Sequence, residues 1–149
     1  MKFIAKSFEE LSKEELYGIL KARCEIFIVE RGMRCQDMDE MDFVARHFYL
    51  EDSGKILAYL RAFYDESKGA VKIGRVLTIT HGLGLGAELM SKAIADIKVT
   101  MNCSEIYVDS QKHAVGFYEK MGFKAVSDEF LEEGVLHVRM ELESANKGE

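Results

Sequence analysis

Residues 46–79 carry the pattern that most restricts this chain. Three apolar, β-rich runs follow one another with a turn signal between each pair and no helical stretch among them. "RHFYLE" and "KILAYLRAFYD" share the link Asp52-Ser53-Gly54-Lys55, a hairpin signal, and "ESKGA" leads from the second run into "VKIGRVLTI". Strands joined this way form an antiparallel meander, which excludes a regular doubly wound array.

The flanking segments complete an architecture. "KFIAKSF" reads as a first strand. "LSKEELYGILKARCEIFIVERG" reads as a helix opened by a Ser12/Glu15 capping box, striped by Leu16, Ile19, Leu20, Arg23 and Phe27, and stopped at Gly32. Residues 34–42 form an acidic loop. After the meander and the loop "HGLGLG" comes a strong helix, "GAELMSKAIADIKVT", with Ala87, Met90, Ile94 and Ile97 predicted inward. "SEIYVDS" is a short strand, "HAVGFYEKMGF" a short helix closed by Gly122, and "KAVSDEFLEEGVLHVRMEL" a hairpin turning at Glu132-Glu133-Gly134. The order β-α-β-β-β-loop-α-β-α-β-β predicts an α/β fold: a mixed, mainly antiparallel central sheet flanked by helices. With 149 residues and no proline to mark a linker, the chain is expected to form one domain over residues 1–143, followed by a disordered tail over 144–149.

Charge narrows the partners. The net charge of −6, with Asp37, Asp39, Glu40 and Asp42 crowded into "DMDEMD", argues against a nucleic-acid surface and suits a cationic partner such as an amine. That loop fails as a calcium-binding EF-hand, because its sixth position is Asp42 rather than glycine and its twelfth is Phe48 rather than glutamate. Three cysteines, Cys24, Cys35 and Cys103, lack metal-like spacing; they read as reduced thiols of a cytoplasmic protein, and no metal is expected. No apolar run is long enough to span a bilayer, and the polar start shows no signal-peptide core. Arg23, Glu25 and Arg61 are charges inside apolar segments, where burial demands a partner: an internal ion pair or a substrate carboxylate.

Gly82, Gly84 and Gly86 stand between a strand and a helix N-terminus, the geometry of an anion site, where first-turn N–H groups converge and glycine permits close approach and positive φ. A phosphate-binding P-loop is excluded because no Lys-Ser/Thr follows. Gly82-x-Gly84-x-x-Ala87 fits a relaxed dinucleotide fingerprint, against which stand the antiparallel meander before it and the ill-placed downstream acid Asp109. A structural strand-to-helix turn is the remaining reading.

About thirty residues on stands Gln111-Lys112-His113-Ala114, then Phe117-Tyr118 and Gly122-Phe123. This pair of motifs, in this order and spacing, resembles the GNAT superfamily of N-acetyltransferases. "KARCEIFIVERGMRCQDMDEMD", "RHF", "IGRV", "QKHAVGFY" and "EEGVLHVRME" extend the resemblance, over nearly the whole chain, to its ElaA-like subfamily. Two departures are visible: His81 stands where the family usually has Arg or Gln, and "RVLTITHG" is shorter than the usual strand-to-loop junction, which leaves open which strand residues meet pantetheine. The resemblance implies a GNAT-like acyl-CoA N-acyltransferase fold and acetyl-CoA as co-substrate. Gly82, Leu83, Gly84, Leu85, Gly86 and Ala87 would face its pyrophosphate; Val76, Leu77 and Thr78 its pantetheine and the oxyanion; Gln111, Ala114, Phe117 and Tyr118 its thiol end. It further implies direct attack by a small amine in a ternary complex, with no cysteine nucleophile, and allows a homodimer. Tyr118 would be the general acid that protonates the departing thiolate. The base would be one of Glu30, Asp37, Asp39, His47 and His137. A non-catalytic acyl-CoA-binding or sensing module is the alternative, and a nucleotide-dependent oxidoreductase a more distant one.

Overall fold

A computed structural model describes residues 1–143; the expected tail over 144–149 lies outside the described residues. Strands β1 (Lys2–Ser7), β2 (Arg46–Asp52), β3 (Lys55–Asp65), β4 (Ala70–Thr78), β5 (Ile106–Gln111), β6 (Phe123–Ala125), β7 (Phe130–Glu132) and β8 (Val135–Leu142) build one sheet. Its order is β1-β2-β3-β4-β5-β8-β6, with β7 also on β8, and the β4–β5 pairing alone is parallel. Helices α1 (Lys13–Arg23), α2 (Leu85–Thr100) and α3 (Val115–Lys120) complete the fold. The mixed, mainly antiparallel α/β architecture matches the expectation. Among the described residues, no helix is long and apolar enough to cross a membrane.

Side-chain alternation explains why β2 and β3 are apolar on both parities. Phe48, Leu50, Ala58, Leu60 and Ala62 face α2, which returns Leu89, Met90, Ala93, Ile94 and Ile97. The other parity, Tyr49 and Tyr59 with Leu77 of β4, faces Ile19, Ala22, Ile26 and Phe27. Ala87 is exposed, contrary to expectation. The inward row of α2 starts at Gly86 and continues through Leu89, Met90 and Ala93, which puts residue 87 on the solvent shoulder.

The Ser12/Glu15 capping box is present in both directions, at 3.0 and 2.8 Å. The helix does not run on as a regular α-helix to Gly32: Cys24–Glu30 are π-helical, as in the bond from Arg31 N–H to the Ile26 carbonyl at 3.0 Å. Ile19, Arg23 and Phe27 of the expected stripe are buried nonetheless. Ala22 and Ile26 are buried, while Leu16 and Leu20 are half-buried.

Two irregularities shape the functional region. β4 and β5 pair only at Val71↔Ile106, Lys72↔Tyr107 and Ile73↔Val108; beyond these β4 follows β3 and β5 follows β8, so the sheet splits. Within β4 the ladder to β3 jumps from Arg61↔Gly74 to Tyr59↔Leu77, leaving Arg75 and Val76 opposite Leu60. This is a β-bulge, and Arg75 takes φ 52° within it. The expected last hairpin turns at Glu133 and Gly134, both with positive φ as a tight two-residue turn requires, while Phe123–Ala125 pairs separately with the far end of β8.

Candidate active site

A cleft of about 570 Å³ opens at the split. Its walls are β4 from Lys72 to Thr78, the tip of β5 with Asp109 and Gln111, Ala114, Phe117 and Tyr118, the segment from Arg31 to Asp39, and the β7–β8 turn with His137.

The three glycines are not equivalent. Gly82 and Gly84 take φ of 83° and 72°, and a Cβ added to either would meet nothing within 4 Å, so backbone conformation demands glycine there. Gly86 has ordinary φ, and an added Cβ would lie in normal van der Waals contact, 3.5 Å from the Phe117 ring and from Thr78 Cγ2, where the loop packs on α3 and β4. Gly84 is the N-cap of α2 and offers no side-chain cap, and the Glu88 N–H is the first to reach back to the Gly84 carbonyl, at 3.1 Å. The earlier N–H groups of this turn are therefore available to an anion. Val76, Leu77, Thr78, Gly86, Gln111, Ala114, Phe117 and Tyr118 line the cleft, whereas Gly82, Leu83, Gly84, Leu85 and Ala87 lie outside its lining, around Gly86. His81 is exposed and lies 3.1 Å from Glu30 and 3.3 Å from the Thr78 hydroxyl.

Tyr118 is 7% exposed, with Phe117 and Phe123 edge-on to its ring at 5.2 and 5.6 Å. Burial pushes its phenol up to about 12, with the nearby Arg31 charge opposing, so the hydroxyl is protonated at neutral pH.

The base candidates separate. His137 lines the cleft; its Nδ1–H donates to the Val135 carbonyl at 2.8 Å, which leaves the Nε2 lone pair free, with Glu132 Oε2 3.9 Å away. His47 is fully buried away from the cleft, accepting from the Tyr59 hydroxyl at Nδ1 (2.6 Å) and donating from Nε2 to the Asp42 carbonyl (3.0 Å). Burial lowers its pKa, with the Asp42 carbonyl opposing, so it stays neutral. Asp39 lines the cleft; burial alone would raise its carboxyl, but Arg61 and Arg75 bring it down to about 2, which makes it a poor proton acceptor. Asp37 also lines the cleft, gripped by Arg23 and Arg75 at 2.9 Å each. Glu30 is exposed, outside the lining.

The acidic loop is a weak lure for a cation, because its three aspartates are already neutralised: Arg23 holds Asp37 and Asp42, Arg61 holds Asp39 and Asp42, and Arg75 holds Asp37 and Asp39, while the exposed Glu40 has no arginine or lysine partner among the described residues. Arg23 and Arg61, buried at 0% and 2% exposure, are thus internal ion-pair partners, and Glu25 is exposed. Asp109 is likewise held by Arg139 at 2.8 and 3.0 Å and by Lys72. Among the carboxylates lining the cleft, Glu132 and Glu133 have no arginine or lysine partner among the described residues. Arg75, Glu132 and Glu133 were not singled out from the sequence as site residues; a polar strand residue and a turn's acids look like ordinary surface. No group of His, Cys, Asp and Glu among the described residues is arranged to hold a metal.

Comparison with known proteins places these features in a lineage. The model of the acetyltransferase (GNAT) domain matches residues 13–144. A UPF0039 protein of Schizosaccharomyces pombe is 36% identical over 147 residues, covering 96% of this chain and 97% of its own length. Protein ElaA of Escherichia coli is 32% identical over 136 residues, covering 88% and 89%. The crystal structure of an acyl-CoA N-acyltransferase from Pseudomonas aeruginosa superimposes with a TM-score of 0.89 at 32% identity, over 96% of this chain and all of that one.

Proposed function

The chain belongs to the GNAT acetyltransferase family, and from that premise we propose that it moves an acetyl group from acetyl-CoA to the primary amine of a small substrate, by direct transfer in a ternary complex. The observation that carries the reading is one cleft, opened by the β4–β5 split, that holds both a buried neutral phenol and a histidine with a free nitrogen. We read the domain as residues 1–143, acting in the cytoplasm, where the free thiols of Cys24, Cys35 and Cys103 fit a reducing medium.

Acetyl-CoA supplies an acyl group already activated as a thioester. The uncapped N–H groups from Gly82 to Ala87 would hold its pyrophosphate, and the β4 edge from Val76 to Thr78, left without a partner by the split, its pantetheine. Val76 N–H, in the bulge, is the donor for the developing oxyanion. His137 Nε2 accepts the proton that the acceptor ammonium must lose, with Glu132 attracting that ammonium. Tyr118, kept protonated by its burial, gives its proton to the departing thiolate.

The melting temperature with and without acetyl-CoA and CoA tests the first half. A saturable rise of several degrees is expected for the wild type and none for Gly84→Glu, which puts a negative, strained side chain in the cradle. No rise at millimolar ligand overturns the proposal. An amine screen that reads released thiol tests the second half. Tyr118→Phe and His137→Gln should each lower kcat about 10²- to 10⁴-fold with the acetyl-CoA shift intact. A thermal shift with no turnover on any amine would leave an acyl-CoA-binding module instead.

A further inference from the structure

Arg75 is a non-glycine residue at φ 52° in the strand that bears the oxyanion donor, one residue before Val76. An L-residue holds that conformation only where its surroundings impose it. Here the restraint is visible. The Arg75 guanidinium donates to Asp37 Oδ1 at 2.9 Å and to the Asp37 carbonyl at 2.7 Å, and lies 3.4 Å from Asp39 Oδ2. The other Asp37 oxygen is anchored by Nε of Arg23, which is fully buried, at 2.9 Å. Asp39 is tied to Arg61, whose cross-strand partner is Gly74, the residue before Arg75. The loop from Asp37 to Asp42 therefore straps the bulge from both sides and ties it to α1.

We propose that Asp37 is a positioning residue for acetyl transfer: by holding the Arg75 guanidinium it keeps the β4 bulge in its positive-φ conformation and so fixes where the Val76 N–H stands. This rests on the acetyltransferase reading above. Without the strap, Arg75 relaxes toward negative φ, the bulge re-registers, and the donor moves relative to the carbonyl it must serve. A displacement of this kind costs kcat, because the donor's value lies in its placement in the transition state, and leaves cofactor binding by the glycine loop in place.

The test is a set of four proteins, each assayed for acetyl-CoA binding by thermal shift and for kcat with one amine that the wild type accepts. Asp37→Asn should lower kcat about ten- to a hundredfold, short of losing the donor outright, and change acetyl-CoA affinity less than about twofold. Adding Arg75→Gly should restore most of the loss, since glycine takes positive φ without a strap. Adding Arg75→Ala should not, since alanine has no guanidinium but keeps the strain. Rescue by both glycine and alanine would mean that an orphaned arginine charge was the trouble, and would overturn the proposal. So would rescue by neither, a wild-type kcat in Asp37→Asn, or loss of acetyl-CoA binding in it. A wild type that binds acetyl-CoA but acetylates nothing defeats the acetyltransferase reading and this inference with it. A wild type that turns over while the rescue fails defeats the inference alone.

Discussion

The two faces of the sheet are filled by opposite chemistry. Toward α2 the core is almost wholly aliphatic and aromatic, from Phe48 and Leu60 to Leu89 and Ile97. Toward α1 the same strands bury Arg23, Arg61, His47 and the Tyr59 hydroxyl beside Asp42. Apolar filling demands volume and little else, so many residues would serve. Ion-paired filling demands particular partners at particular distances, and it leaves a residue of cost: Arg61 Nε is buried without a partner among the described residues. The costlier face is the one adjoining the bulge and the cleft, and its ion pairs hold the strand that lines the cleft.

The largest effect is expected at Arg23. Arg23→Ala takes away one of the two arginines that hold each of Asp42 and Asp37, leaving them to Arg61 and Arg75, and should cost about 3–5 kcal/mol in denaturant unfolding, the scale of breaking a buried ion pair. A cost near that of an ordinary surface substitution would mean that the network is decorative. The next effect is in acid. Asp42, Asp39 and Glu15 would all be raised by burial but are pulled below their usual values by Arg23, Arg61 and Lys6 respectively, with Asp39 and Glu15 at about 2. A carboxylate with a depressed folded pKa stabilises above its unfolded value and loses that contribution as pH falls through the folded one. Stability should therefore decline between about pH 4 and pH 2, and Asp39→Asn should flatten part of that decline in an acid titration of unfolding free energy. Substitutions on the α2 face should shift the whole curve without changing its slope. The smallest effect sharpens that contrast: Ile97→Val, which removes one fully buried methylene, should cost about 0.5–1.5 kcal/mol at every pH.

Legibility in the sequence follows the same divide. The meander, the Ser12/Glu15 cap and the α2 stripe were readable because each is local: a turn, a reach of three residues, a period of 3.6. Arg23 and Arg61 announced that a partner was needed but not which, because their carboxylates lie 14 to 22 residues away along a loop with no period. The π-helical winding of 24–30 left no mark in the hydrophobic pattern, and arginine gives no hint of positive φ at position 75. His47 and His137 look alike in sequence, each within a strand. They part only because β8 lies beside β5 at the split, whereas β2 lies inside the meander under α1. Sheet order is a non-local fact, and no local pattern encodes it.

The three-residue parallel pairing of β4 with β5 also divides the sheet by distance along the chain. Strands β2 to β4 join neighbours and close short loops, while β5 meets β4 across the whole of α2. Loop-closure entropy alone leads us to expect the meander to form before that contact, an order that pulse-labelled hydrogen exchange would read. The cleft exists only once that contact is made, so a chain halted one step short would already own most of its sheet and have nowhere to bind.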